Sequence, residues 1–348
     1  MSFKKDLDKL SEGIPFIRPL EKKMGMALAR RTIFRKDDQE NWGRVAARVA
    51  YGNTSLAPEA IEEDFEDLRN RIASGKVLMS GRHLQHGDLD QKSKALDVLV
   101  NCATSATSFV MFYLLLNGAG VGRSYDDELM VVDWDFAPDI LNVCSIKHKD
   151  FDPSVFISLE DFESNKETLV YIVDDSREGW AQALEIYEAM AFEKIHSNKL
   201  LVLDWSSIRP KDSLIGGMQD RPASGPIPTA QAFYKASLIK GKKLSLWKQA
   251  MMVDHYMAEC VLVGGARRSS RMATKFYKDP GAKEFALFKR THLDNSGYPI
   301  FYSSNNSIVT DEEFWKQDTE ETKDLLETCL QTAYHDGTGE PGFINAYK

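Results

Sequence analysis

Cysteine offers this chain its most versatile chemistry, and of the four present Cys102 stands apart because Asn101 directly precedes it. A thiol placed beside a second thiol can deliver two electrons and two protons while the pair becomes a disulfide. Taken alone, a free cysteine more often serves as a small buried apolar side chain. Cys260, on a helix face with Tyr256 and Val263, reads that way, as does Cys329 with Leu325 and Leu326; Cys144 carries no signal. The four are widely spaced and contain no CxxC pair, which fits reduced thiols better than a disulfide scaffold or a zinc site. His83, His86, His292 and His335 are scattered without ligand spacing, so no protein-bound metal is expected.

Two further segments could bind phosphate. Asn117-Gly118-Ala119-Gly120-Val121-Gly122 allows close backbone approach to a ligand, which glycine permits without steric cost. Its GxGxG spacing lacks the third glycine of a dinucleotide fingerprint, and a plain tight turn is the simpler reading. Arg267 and Arg268 follow Gly264-Gly265 and precede Ser269; guanidinium groups suit phosphates and bases, although a solvated basic turn is an equal alternative. Glu340 resembles a general base in isolation but reads as a residue that holds the Pro341-Gly342 turn.

These residues need elements to place them. Helices are expected over Asp37–Ala50, with Trp42, Val45, Ala46 and Val49 buried and Gly52-Asn53 as a stop, and from Pro58 to Ala73, with Ile61, Phe65, Leu68 and Ile72 as the apolar stripe and Gly75 as the end. Leu78–Leu84 opens a loop-rich passage. Beyond residue 96 the pattern becomes α/β. Strand-like stretches lie at Met130–Val132, Leu169–Val173 and Leu200–Leu203, and helices at Trp180–Ile195, capped by Ser176, and Ser245–Val263, stopped by Gly264-Gly265. A long loop covers Ile208–Pro228. The resulting division is a mostly helical region, 1–95, and an α/β region, 96–348.

At 348 residues the chain can bury a large core, and its formal charge of −8 argues against a general nucleic-acid or membrane-surface role. The longest apolar run, Phe109–Leu116, is far short of the ~20 residues that span a bilayer. The first residues lack an apolar signal core, so a cytoplasmic location is the default expectation.

Separated segments, in order, resemble the adenosylcobalamin-dependent (class II) ribonucleotide reductases of the monomeric, triphosphate-reducing subgroup. They are Asn101-Cys102, Gly118–Gly122, Asp175–Trp180, Ser207–Lys211 with Ala223–Pro226, Gly264–Ser270, Ser304–Ser307 and Gly339–Gly342; Arg31-Thr32 and Glu40-Asn41-Trp42 are similar as well. The resemblance implies a fold: an N-terminal helical region followed by the first half of a ten-stranded α/β barrel, with an effector and specificity insertion around 145–200. It implies that Cys102 is one member of a redox pair, that Asn101, Gly118, Gly120 and Gly122 adjoin the ribonucleotide substrate, and that Arg267, Arg268 and Ser269 belong to a loop reporting the deoxynucleotide effector. Gly265-Ala266 departs from the family's usual residues there.

In that family the Gly-Glu-Pro-Gly segment leads towards an Asn-Pro-Cys-Gly-Glu strand that bears the radical cysteine, and this sequence has no such strand. The expectation is therefore an N-terminal subunit of a split enzyme. A second polypeptide would carry the other barrel half, the radical cysteine and the partner thiol. Adenosylcobalamin would be shared between the two, and a thioredoxin-like protein would restore the dithiol. The alternatives are a non-catalytic nucleotide-binding regulatory protein derived from a reductase, and an interrupted gene product.

Overall fold

The computed structural model describes residues 7–12, 23–35, 40–93, 99–215, 221–263, 266–267, 270–297 and 299–346. The chain divides into two compact units, the first ending at Asn101 and the second containing Cys102 and the α/β region.

The first unit is helical. Helix α1 (Trp42–Thr54) starts where the Asn41 side chain accepts from the Arg44 N–H at 3.0 Å, and helix α2 (Glu62–Ala73) packs against it. Trp42, Val45, Ala46, Val49, Phe65 and Ile72 form the core, as helical periodicity requires. Arg48 is buried inside it, held by Glu40 and by the Leu84 carbonyl at 2.8 Å. Three local expectations change. Gly52 does not stop α1; it lies within the helix, at a place where a Cβ would stand 2.1 Å from the Asp88 carbonyl oxygen. Helix α2 starts four residues after Pro58, leaving Ile61 exposed at its N-cap, while Gly75 follows its end with a positive φ of 69°. Leu78–Leu84 is not all loop, because Ser80 caps a short helix, Gly81–His86, by accepting from the His83 N–H at 3.2 Å.

The second unit holds two parallel sheets. The chain forms β1 (Cys102–Thr104), helix α3 (Ser108–Leu116) and β2 (Gly120–Ser124). It then leaves to build β3 (Asp139–Cys144), β4 (Ile157–Ser158), β5 (Thr168–Ile172), helix α4 (Arg177–Glu193) and β6 (Leu200–Asp204). Helices α5 (Ile227–Ser237) and α6 (Leu246–Cys260) come next, and the chain returns as β7 (Ser270–Phe276), β8 (Ser304–Thr310), helix α7 (Glu320–Asp336) and β9 (Gly342–Asn345). The first sheet runs β1-β2-β7-β8-β9 and the second β4-β3-β6-β5, with every pairing parallel. The second sheet is thus an insertion between neighbouring strands of the first. The expected α/β class with a helical N-terminal region is what the chain adopts.

Several boundaries move. Met130–Val132 is not a strand but a link between two 3-10 turns opened by Asp126 and Asp133, aspartate being a turn-forming residue. Helix α6 ends at Cys260, short of Val263, because Val261 leaves the helical conformation and Leu262-Val263 enters a hairpin with Ala266-Arg267. The long loop from Ile208 contains a second hairpin, Leu214-Ile215 with Arg221-Pro222. Ser176 does cap α4, accepting from the Gly179 N–H at 3.0 Å. Replacing Gly52 by alanine, normally favourable inside a helix, should here lower the unfolding free energy by about 1–3 kcal/mol, the usual cost of overpacking, seen as a lower denaturant midpoint.

Candidate functional site

Parallel strands are ordinarily covered on both faces. Among the described residues the first sheet buries the side chains of one face. Alternate residues Val121 and Arg123, Arg271, Ala273 and Lys275, and Ser304, Asn306, Ile308 and Thr310 are buried, whereas their neighbours in each strand stand on the other face and are exposed or half-buried. Register assigns the members of this open face. Cys102 lies level with Gly120 and Ser270, and Thr104 lies level with Gly122, Met272 and Asn305. Cys102, Thr104, Ser270, Met272 and Asn305 are all exposed. A Cβ at Gly122 would meet nothing nearer than Thr104 Cγ2 at 3.8 Å, so internal packing does not require glycine there. The result is an open strip, level with a thiol, along which a ligand can approach the backbone.

The closed face is ionic. Arg123 donates to Asp254 at 2.8 Å and to Ser108 Oγ at 2.9 Å; the Tyr125 hydroxyl donates to the same Asp254 oxygen at 2.7 Å. Arg271 donates to Tyr125 Oη at 2.7 Å and to Ser303 Oγ at 3.3 Å, and Ser303 lies 2.6 Å from His255 Nδ1. His255 Nε2 is 3.2 Å from Glu259. Lys275, fully buried, donates to the Tyr125 carbonyl at 2.7 Å and pairs with Asp127 and Asp279. Charges buried in pairs with further hydrogen bonds fix geometry, because removing one partner strands the other. Here they fix β2 and β7 behind the thiol and the glycines. Burial pushes the His255 pKa below its ordinary value, with Arg271 and Lys235 pushing the same way against Glu259.

Cys102 is exposed at the head of β1, an edge strand, and Asn101 is exposed just before it. The glycine run is not one loop. Gly118 forms a turn with φ 77°, its N–H donating to Leu115 O at 2.7 Å, and Gly120 and Gly122 belong to β2. The backbone of Arg267 lies in the hairpin before β7; Arg268 and Ser269 lie outside the described residues, as do Gly264 and Gly265. Asp175 and Arg209 pair at 2.7 Å, which joins two of the blocks that are only adjacent motifs in the sequence. Glu340 accepts from the Asn306 N–H at 3.3 Å and from Lys289, tying its turn to the start of β8 and lining a cavity of about 450 Å³ with Arg290, Thr332 and Asp336. Sequence motifs alone miss Thr104, Ser270 and Met272 as members of the open face, and only the strand register reveals them. Among the described residues no group of three or more His, Cys, Asp and Glu is placed to hold a metal, and no helix is long and apolar enough to cross a membrane.

Cys144, Cys260 and Cys329 are buried, and burial pushes their thiols up to about 11, 12 and 12 respectively. A thiolate is the reactive form. A disulfide reagent at neutral pH should therefore titrate one sulfur rapidly in the native chain, identified by peptide mapping as Cys102, and four in denaturant. For His255 the folded-state pKa lies below the unfolded value, so the unfolded chain takes up the proton first as pH falls. The stability linked to the neutral ring is complete above the ordinary histidine pKa of 6.5 and is lost as pH drops through it. The melting temperature should decline from pH 7 to pH 5, and His255→Gln should flatten that decline.

Residues 141–238, which span nearly all of the inserted sheet and α5, match the family model described as "B12-dependent ribonucleotide reductase, insertion domain". A putative adenosylcobalamin-dependent ribonucleoside-triphosphate reductase of Mycobacterium phage D29 is 28% identical over 302 residues, covering 80% of this chain and 42% of that protein. A probable adenosylcobalamin-dependent ribonucleoside-triphosphate reductase of Dictyostelium discoideum is 25% identical over 351 residues, 92% of this chain and 42% of that protein. The chain thus spans less than half the length of either curated relative. A crystal structure of a B-12 dependent (class II) ribonucleotide reductase superposes with a TM-score of 0.74 at 22% identity, over 97% of this chain and 51% of the other. The chain therefore has the fold of part of a class II ribonucleotide reductase, with a matched insertion domain carried between β2 and β7.

Proposed function

We propose that this chain is the N-terminal part of an adenosylcobalamin-dependent ribonucleotide reductase, in which Cys102 is one of the two thiols that reduce the ribose. The observation that carries this reading is the placement of an exposed thiol level with Gly120, on a sheet face that the described residues leave open in the rows beside it. In the rows level with Cys102 and Thr104 that face carries Gly120, Gly122, Ser270, Met272 and Asn305. Apart from Met272 these are glycine or small polar groups, which leave room for a nucleotide sugar and a cofactor above the strands. Adenosylcobalamin, named for both curated relatives, would supply the radical initiation when bound.

The work of this chain's residues is reductive and positional. Cys102 and a second thiol lose two electrons and two protons and form a disulfide; the ribose 2′ C–O bond breaks, the oxygen leaves as water, and C2′ gains hydrogen. The second thiol is proposed to lie outside this chain, because Cys144, Cys260 and Cys329 are buried. A second polypeptide is proposed to complete the barrel and share the cofactor, carrying that thiol and the radical cysteine. The bare sheet face and the β9 edge, which has no further strand among the described residues, support a missing cover of this kind. The hairpin that includes Arg267 ends three positions before the first residue of β7, and this closeness in sequence supports an effector-reporting role for Arg267, Arg268 and Ser269. A deoxynucleotide is the proposed effector, and a thioredoxin-like protein the proposed reductant.

Cys102→Ser should abolish ribonucleoside-triphosphate reduction by the complete enzyme by a factor of ~1,000 or more, as loss of an essential nucleophilic group does. Survival of activity in that variant would overturn the reading of Cys102 as a reducing thiol and favour the nucleotide-binding alternative. Affinity purification of the native chain should bring down a polypeptide containing Asn-Pro-Cys-Gly-Glu; recovery of that segment in one continuous product would overturn the two-chain arrangement alone.

A further inference from the structure

Strand β1 is three residues long and pairs with β2 on one side only, so its ladder alone holds Cys102 weakly. The backbone just beyond β1 is held firmly. The Ser105 N–H extends the ladder to the Gly122 carbonyl at 3.0 Å, and Ser105 Oγ donates to the Thr107 carbonyl at 2.7 Å. The backbone N–H groups of Ser108 and Phe109 open helix α3 and donate to the two carboxylate oxygens of Glu188 at 2.9 and 2.8 Å. Ser108 Oγ also accepts from Arg123, the residue after Gly122 in β2. Thr107, at the N-cap, supplies no side-chain hydrogen bond, so the carboxylate satisfies donors that a cap would otherwise take.

Glu188 comes from α4, inside the stretch matched by the insertion-domain model. It is nearly fully buried, and burial raises its pKa while the two N–H groups and Arg123 hold it down. The same helix grips the far end of α3, where Arg177 donates to Asn117, the C-cap residue. Helix α3 is thus clamped at both termini by one inserted helix, and it is the connection between the strand of the thiol and the strand of the glycines.

We propose that Glu188 is a positioning residue for Cys102: by holding the first turn of α3 it fixes the strand that presents the thiol, and it makes the inserted domain mechanically continuous with the reducing site. The proposal rests on reading Cys102 as the redox thiol. Glu188→Gln keeps the shape but offers one oxygen to two donors, and Glu188→Asp keeps the charge with a shorter reach. Thr319→Ala is the control, since it removes an N-cap acceptor, 3.2 Å from the Thr322 N–H, on α7, outside the β1–α3–β2 path.

Alkylation of Cys102 by iodoacetamide in the full chain should change by ~3-fold or more in either Glu188 variant, thiol reactivity depending on local field and access. Faster hydrogen exchange at Ser108 and Phe109 should accompany it. Thr319→Ala, even with a comparable loss in melting temperature, should leave the alkylation rate as in the wild type. In the complete enzyme kcat should fall ~10-fold or more with KM little changed, since a ~1 Å misplacement can cost ~100-fold. An unchanged alkylation rate in the variants that fold, or an equal change in Thr319→Ala, overturns the proposal. If Cys102→Ser is inactive while a Glu188 variant keeps the wild-type kcat, the positioning role fails and the dithiol reading stands. If Cys102→Ser is active, the dithiol reading itself fails.

Discussion

A parallel sheet with one bare face is the constraint on which the other features depend. Parallel pairing usually requires cover on both sides, and strands then read as continuous apolar runs. Here β2, β7 and β8 bury one set of alternate residues and leave the other set exposed or half-buried. Apart from Met272, the residues level with the thiol are small, polar or glycine rather than a broad apolar patch, so the face is suited to a ligand and a further layer together. The thiol and the glycines have no other meeting place. They are brought level by strand register, across an interval in the chain occupied by a helix.

The covered face explains how such a sheet holds its shape. Its core is not purely apolar. Arg123, Asp254, Tyr125, Arg271 and Lys275 are all buried there and mutually bonded. Apolar residues of the same volume would stabilise as well or better in many proteins. What the ionic set adds is direction: the bonds to Asp254 tie β2 to α6, and those from Arg271 and Lys275 tie β7 to Tyr125 just after β2. Asp254 alone receives Arg123 and Tyr125 from β2 and its exit.

The same chemistry decides what the sequence can reveal. Helices α1, α2, α4 and α6 are legible, within a few residues, because their apolar positions repeat with helical spacing. Strands β5 and β6 are legible as aliphatic runs. Ser270–Phe276 is not, because its buried positions include Arg271 and Lys275 while Met272 faces outward, inverting the expected alternation. The partners that make those charges tolerable, Tyr125 and Asp279 among them, give no local signal. Gly52 misleads for a related reason: the carbonyl that forbids a side chain there belongs to Asp88, in the loop after the Gly81–His86 helix. Cys102 and the glycines are found through short motifs. Their adjacency, and the role of Glu188 eighty residues from the turn it caps, need coordinates.

The route of the chain between β2 and β7 has a mechanical outcome. These strands lie side by side and run in the same direction, so the excursion joining them departs from one rim of the sheet and must re-enter at the opposite rim. The inserted domain is accordingly hitched to its host at two ends rather than hung from a single hinge. A pendant could swing without disturbing its support. A yoke of this kind is tied to β2 at one rim and to β7 at the other, so both neighbouring strands carry its attachment.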